Sequence, residues 1–71
     1  MKIYGNDMSV ILKSMPEGEN RIDIYSITGQ KIRTASTSLT NLSITMDKKG
    51  IYLVVLRHNN EQILGEKVII K

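Results

Sequence analysis

The sequence contains no cysteine, no tryptophan and no phenylalanine among its 71 residues. Without cysteine the chain can form neither a disulfide nor a thiolate metal site, and a single histidine, His58, cannot make a structural zinc site by itself. We therefore expect no cofactor and no metal. Since so short a chain buries only about 60% of its unfolded surface, its stability must come from packing, from a partner chain or from a parent domain.

Long apolar segments are also missing. The longest purely aliphatic run is Leu53 to Leu56, far short of the roughly 20 residues that a membrane-spanning helix needs. The N-terminal residues include no apolar stretch of the kind that forms the centre of a signal peptide. The sequence therefore predicts no transmembrane segment.

The charge is modestly basic, because ten Lys and Arg residues outnumber seven Asp and Glu residues. The basic residues are spread along the chain without a helical stripe, and three tyrosines are the only aromatic residues available to stack on bases. We interpret the charge as ordinary solubilising surface and expect no nucleic-acid partner.

Apolar and polar residues alternate along most of the chain, as is typical of strands. The segments 21–25 and 42–46 alternate cleanly, whereas 51–57 is apolar on both faces and predicts the most buried strand. Residues 34–41 are polar and predict a loop. In the last strand, Gly65 predicts a bulge or a kink.

Turn residues separate these strands. Thr28 and Gly29 predict a tight hairpin with positive φ at Gly29, and residues 47–50 predict a second turn with Gly50 in a similar role. Asn59 and Asn60 predict a third hairpin, with His58 exposed at its end. About seven short strands with no helix, at this spacing, indicate a β-sandwich or a barrel.

No catalytic constellation is recognisable, so we expect a protein that is not an enzyme and has no catalytic residues. The carboxylates lie mainly in or beside turns, and nothing in their spacing pairs two of them as acid and base. No Gly-x-Ser-x-Gly motif is present. Residues 27–31 contain one glycine, which is too few for a phosphate-binding loop.

Two segments carry a family resemblance. Residues 22–32, IDIYSITGQKI, resemble the Ile-x-Val-Tyr-x-x-x-Gly-[Lys/Arg/Gln]-x-Val stretch of the C-terminal sorting domains of type IX secretion cargo in Bacteroidetes. A second similarity is to the C-terminal segment of the domains in that family, and it is carried by residues 49–54, KGIYLV, followed by 67–71, KVIIK. The chain departs from the family at residues 4–8, where Pro-Asn-Pro is common, and at 47–48, where Leu-Pro is usual.

The resemblance implies a single domain over residues 1–71, folded as an all-β, Ig-like antiparallel β-sandwich at the end of a larger exported protein. It implies a non-catalytic sorting signal that the outer-membrane type IX translocon reads and that a surface sortase often removes, attaching the cargo to lipopolysaccharide. The partners would be these translocon and sortase proteins and the N-terminal cargo domain. The location would be the cell surface or the extracellular space, reached through the periplasm.

The same resemblance assigns partner recognition to six positions: Gly29, Gln30, Gly50, Tyr52, Lys67 and Lys71. Most of these residues can equally serve the fold alone. The two glycines are first of all turn residues, and the tyrosine can be a core or corner residue whose hydroxyl binds the backbone. The two lysines can protect an edge strand against aggregation.

Two other functional hypotheses remain open. One is an accessory Ig-like module that binds a ligand or acts as a spacer in a cell-surface protein. The other is a small basic barrel that binds nucleic acid, which salt-dependent oligonucleotide binding would support. For the isolated domain we expect weak self-association, as a homodimer, through unpaired strand edges.

Overall fold

The computed structural model describes residues 1–71 and contains seven strands and no helix. The strands are β1 (Lys2–Asn6), β2 (Ser9–Lys13), β3 (Asn20–Ser26), β4 (Lys31–Thr37), β5 (Leu42–Thr45), β6 (Gly50–His58) and β7 (Glu61–Ile70). The structure thus includes no helix that could span a membrane.

The strands form two antiparallel sheets, one of three strands in the order β1-β2-β5 and one of four in the order β4-β3-β6-β7. The arrangement matches an Ig-like sandwich in which β1, β2 and β5 correspond to strands A, B and E, and β3, β6 and β7 to C, F and G. The predicted all-β, Ig-like sandwich is therefore confirmed.

The core lies between the two sheets and is built by the alternation that the sequence predicts. Ile22 and Ile24 of β3 and Val54 and Leu56 of β6 are fully buried on the inner face of the four-stranded sheet. Burial of each such side chain contributes about 1.5–3 kcal/mol relative to exposure. The core cluster comprises Val10, Leu12, Met15, Ile22, Ile24, Ile44, Met46, Tyr52, Val54, Leu56, Val68 and Ile70.

The prediction that β6 is buried on both faces is wrong. Ile51 and Leu53, which point away from the core, are 42% and 44% exposed, and only Val55 on that face is buried. The reason is geometric: β6 is central within its sheet, but the three-stranded sheet covers only one side of it. The outer side therefore carries apolar residues that nothing within the chain covers.

The predicted loop over residues 34–41 is wrong in its first half. β4 continues to Thr37, and its residues pair with β3 in register, with Thr34 opposite Asp23 and Ala35 opposite Ile22. Backbone hydrogen bonds form such an edge strand, and short Thr and Ser side chains suit its exposed face. Only residues 38–41 connect β4 to β5.

The predicted bulge at Gly65 is also wrong. Gly65 pairs regularly with Val55, and the register shift falls between Leu56 and Arg57, whose partners are Leu64 and Gln62. The extra residue on β7 is thus Ile63.

The three turns predicted between strands are confirmed. Gly29 has a φ of 95° and Gly50 one of 154°, and Asn59 and Asn60 adopt left-handed conformations with φ of 51° and 68°. His58, however, is half-buried rather than exposed.

His58 is half-buried because it contacts a buried asparagine at the start of β3. Its Nδ1 lies 3.0 Å from Oδ1 of Asn20, which is fully buried. The Nδ2 of Asn20 donates to the carbonyl oxygen of Pro16 at 2.8 Å. The histidine therefore takes part in fixing the loop that precedes β3.

Gly5 brings the two sheets together at one side of the sandwich. A Cβ atom built on Gly5 would lie 2.6 Å from the carbonyl oxygen of Ile69 and 2.9 Å from Cδ1 of Ile70. Strand β1 therefore approaches β7 so closely that only a glycine fits there.

We predict that Gly5→Ala lowers the free energy of unfolding by about 1–3 kcal/mol, the usual cost of overpacking. Gly65→Ala is the matched control, because its added Cβ would meet only the flexible side chain of Gln62, at 3.8 Å. Urea unfolding of both variants measures the difference. Equal losses in the two variants would show that the contact between β1 and β7 is not tight.

Candidate functional site

Five of the six family positions lie at one end of the sandwich, which we call the motif end: Gly29, Gln30, Gly50, Tyr52 and Lys71. The strand register explains why they meet. Ser26, the last residue of β3, pairs with Tyr52, and Gly50, the first residue of β6, pairs with Ile70. The β3–β4 turn, the β5–β6 turn and the C-terminal residue therefore lie at the same end of the four-stranded sheet. Lys67, the sixth position, lies within β7, four residues before Lys71 and away from this end.

Gly29 and Gln30 belong to a turn that Ser26 holds together. The amide of Gly29 donates to the carbonyl oxygen of Ser26 at 3.0 Å, and the amide of Gln30 donates to the Ser26 hydroxyl at 3.2 Å. No atom lies within 4 Å of where a Cβ on Gly29 would be. The positive φ, and not lack of space, is what favours glycine here. The side chain of Gln30 is exposed.

Tyr52 anchors the β5–β6 turn. Its side chain is buried, with 7% of the residue exposed, and its hydroxyl donates to the carbonyl oxygen of Lys48 at 2.7 Å. A tyrosine near the start of strand F, bonded to backbone a few residues upstream, is the tyrosine corner of Ig-like sandwiches. This geometry gives Tyr52 a structural role, and its role in partner recognition stays a prediction.

An open cleft of about 380 Å³ lies between the two turns of the motif end. Gln30 and Tyr52 both line it. Arg33 and Asp47 meet at its wall through an exposed ion pair of 3.2 Å, which contributes no more than about 1 kcal/mol. Its walls therefore carry amide, cationic, anionic and aromatic groups.

Lys67 and Lys71 are both exposed. Lys67 pairs with Leu53 on the outer side of the four-stranded sheet, and Lys71 follows β7. The four ion pairs of the protein involve neither of them. Both ammonium groups are thus accessible to a partner, and both are also placed to protect an edge strand.

A cluster around Asp23 is the feature that sequence reasoning missed. The carboxylate is fully buried at the centre of β3, on the outer side of the sheet, and not beside a turn. Arg57 Nη1 lies 2.6 Å from its Oδ2, and the Thr34 hydroxyl donates to its Oδ1 at 2.7 Å. Arg21 Nε and Lys31 Nζ lie 3.4 and 3.7 Å from Oδ1.

The sequence contained only half of the signal for this cluster. The alternation of residues 21–25 places Arg21 and Asp23 on the same face, but Arg57 lies 34 positions further along the chain. Only the register of β3 against β6 brings Arg57 to the carboxylate, with Arg21 opposite Arg57.

The charges around Asp23 set its protonation. Burial by itself raises the pKa of the Asp23 carboxyl, but the hydrogen bond from Thr34 and the positive charges of Arg21 and Lys31 outweigh burial. The pKa therefore lies below its ordinary value of 3.8, so the group is a carboxylate at neutral pH.

The fold and the motif end define a small Ig-like β-sandwich. Residues 3–71 match the model of a family described as the secretion system C-terminal sorting domain. Because this match spans nearly the whole chain, the chain belongs to that family, and the resemblance to type IX sorting domains is confirmed. No curated protein and no solved structure matches the chain.

Membership of this family has two consequences. The chain is exported to the cell surface or the extracellular space as part of a parent protein. In that parent protein it interacts with the secretion machinery.

We predict that Asp23→Asn lowers the free energy of unfolding at pH 7 by roughly 2 kcal/mol, since three cations lose their shared carboxylate. Because the pKa of Asp23 is lowered in the folded state, its carboxylate contributes to the free energy of unfolding above about pH 5. This contribution is lost as the pH falls through 3.8 and below. The difference between wild type and Asp23→Asn should therefore shrink in acid. Denaturant unfolding between pH 7 and pH 3 measures it.

The control for this experiment is Asp47→Asn, because the Asp47 side chain is 85% exposed in its ion pair with Arg33. We expect a change of less than about 1 kcal/mol for this variant. A loss for Asp23→Asn that stays constant down to pH 3 would contradict the charge network.

We also predict that Tyr52→Phe destabilises the domain by about 1 kcal/mol, because the carbonyl of Lys48 loses its hydrogen-bond donor. This is the usual net contribution of one hydrogen bond to stability. Tyr4→Phe serves as the control, since Tyr4 is partly exposed. Thermal unfolding compares the two. If Tyr52→Phe is no less stable than Tyr4→Phe, the hydroxyl does not anchor the turn.

Proposed function

We propose that this domain is a non-catalytic sorting signal, recognised at the outer membrane by the type IX translocon and removed by a surface sortase. One observation carries the proposal: the family match over residues 3–71, which includes both motifs identified in the sequence. The cargo is the N-terminal part of the parent protein.

The geometry of the motif end supports this proposal. Two turns and Lys71 lie at the same end of the sheet, and the side chains of Gln30 and Lys71 are exposed there, so a receptor can approach both family motifs at once. β7 is also an edge strand, paired only with β6 in its sheet. A receptor strand can add by backbone hydrogen bonds to the part of this edge that β1 does not approach, while pockets select the side chains.

One observation favours a second candidate, an accessory Ig-like module that binds a ligand or separates other domains. Gly29 and Tyr52 have structural roles, in a turn with positive φ and in a tyrosine corner, that would serve an Ig-like sandwich whatever its function. The two candidates differ in the role that they give to the exposed side chains of Lys67 and Lys71. A sorting signal needs these lysines for export, whereas an accessory module does not.

We predict that residues 1–71, fused behind a reporter in a host with type IX secretion, carry the reporter to the cell surface or the medium. A fusion lacking residues 67–71 should leave the reporter in the periplasm, because this fusion loses the C-terminal residues of β7 that pair with β6. Fractionation and reporter activity locate it. Periplasmic retention with both fusions would refute the proposal.

A milder variant separates recognition from folding. Lys67→Ala with Lys71→Ala removes two exposed side chains, and Lys2→Ala with Lys13→Ala removes two others from the three-stranded sheet. A sorting signal should lose most of its export with the first pair and little with the second. Equal export by both pairs would favour the accessory module.

A further inference from the structure

The outer face of the four-stranded sheet carries an apolar strip made by Tyr25, Ile51, Leu53 and Ile69. Its members are neighbours across strands, since Ile51 pairs with Ile69 and Leu53 pairs with Tyr25. Ile51, Leu53 and Ile69 are 42%, 44% and 53% exposed. Isolated apolar residues are common on protein surfaces, but contiguous ones mark interaction sites.

A shallow groove of about 380 Å³ continues the strip toward the β3–β4 turn. Tyr25, Leu53 and Val55 line it, together with Ile27, which is 73% exposed. Arg57 and Gln62 also line the groove, which is open to solvent, so its apolar part can accept an apolar side chain from a partner.

Positive charges flank the strip. Arg21, Lys31 and Arg57 surround Asp23, and Lys67 lies opposite Leu53. Four cations against one carboxylate leave this cluster with an excess of three positive charges. The side chains of Arg21, Lys31 and Arg57 are still 47%, 42% and 33% exposed, so they remain open to a second anion.

The Asp23 carboxylate also holds these cations in place. Arg57 contacts it through Nη1 and Arg21 through Nε, which leaves the other guanidinium nitrogens of both residues for a partner. Long side chains that are already ordered lose less conformational entropy on binding. The face is therefore prepared for carboxylates beside an apolar contact.

We propose that this outer face is the docking surface for a protein whose contact surface presents apolar side chains flanked by Asp and Glu. The inference rests on the proposed function, in which that protein is the component of the secretion machinery that reads the domain. A second copy of this chain fits poorly, because two such faces would bring like charges together. A nucleic acid would satisfy the cations but leave Ile51, Leu53 and Ile69 without apolar partners.

The test uses the reporter fusion with two variants of the outer face, Leu53→Ser and Lys67→Glu. Their controls are Leu39→Ser, which removes a leucine that is 63% exposed in the β4–β5 loop, and Lys13→Glu, which reverses an exposed charge on β2. All four changes are at solvent-accessible positions, and thermal unfolding of the purified fusions verifies that each is folded.

Export with Leu53→Ser and with Lys67→Glu should each fall roughly tenfold, the effect of losing about 1.4 kcal/mol of binding, while both controls export as wild type does. In the same host, a photo-reactive amino acid at position 51 should crosslink to a protein, at a peptide containing Asp or Glu beside apolar residues. The same amino acid at position 39 should not.

The outcomes separate the two ideas. If the intact fusion is not exported, the proposed function fails and this inference fails with it. If the intact fusion is exported and both outer-face variants are exported equally well, the docking surface is refuted while the sorting function stands. Crosslinks from position 51 to nucleic acid, to a second copy of the domain, or to no molecule would also overturn the inference.

Discussion

Apolar packing between the inner faces of the two sheets holds this domain together and fixes the position of every strand. No disulfide can assist it, because the chain has no cysteine. The contact is made by side chains at every second position of β2, β3 and β6, among them Leu12, Ile22 and Leu56, all fully buried. At Gly5, β1 approaches β7 so closely that no side chain fits between them. One side of the sandwich is thereby closed.

The same alternation gives the four-stranded sheet a second, outward face. Because side chains alternate strictly, burying Val54 and Leu56 forces Leu53 and Arg57 outward, and the pairing of β3 with β6 then places Arg57 beside Asp23. The buried carboxylate ties three strands together through Arg21, Thr34 and Arg57. Core packing thus decides both the stability of the sandwich and which side chains its outer face carries.

Features that depend on neighbouring residues were predictable from the sequence. The alternation around Ile22 and Ile24, the left-handed turn residues Gly29 and Asn59, and the corner role of Tyr52 were all anticipated, and the structure confirms them. Features that depend on distant pairing were not. The strand character of residues 34–37 comes from its neighbour β3, and the contact of His58 with Asn20 joins residues 38 positions apart.

The register of β6 between the two sheets can be tested by the nuclear Overhauser spectrum of the methyl groups of Leu53 and Val54 in the purified domain. A shift of one residue in the register of β6 would exchange the inner and outer faces. We expect contacts from Leu53 methyls to the ring of Tyr25, with Val54 methyls contacting only core residues. Contacts from Leu53 to Val10 or Leu12 would show that the inner and outer faces of β6 are the reverse of those described.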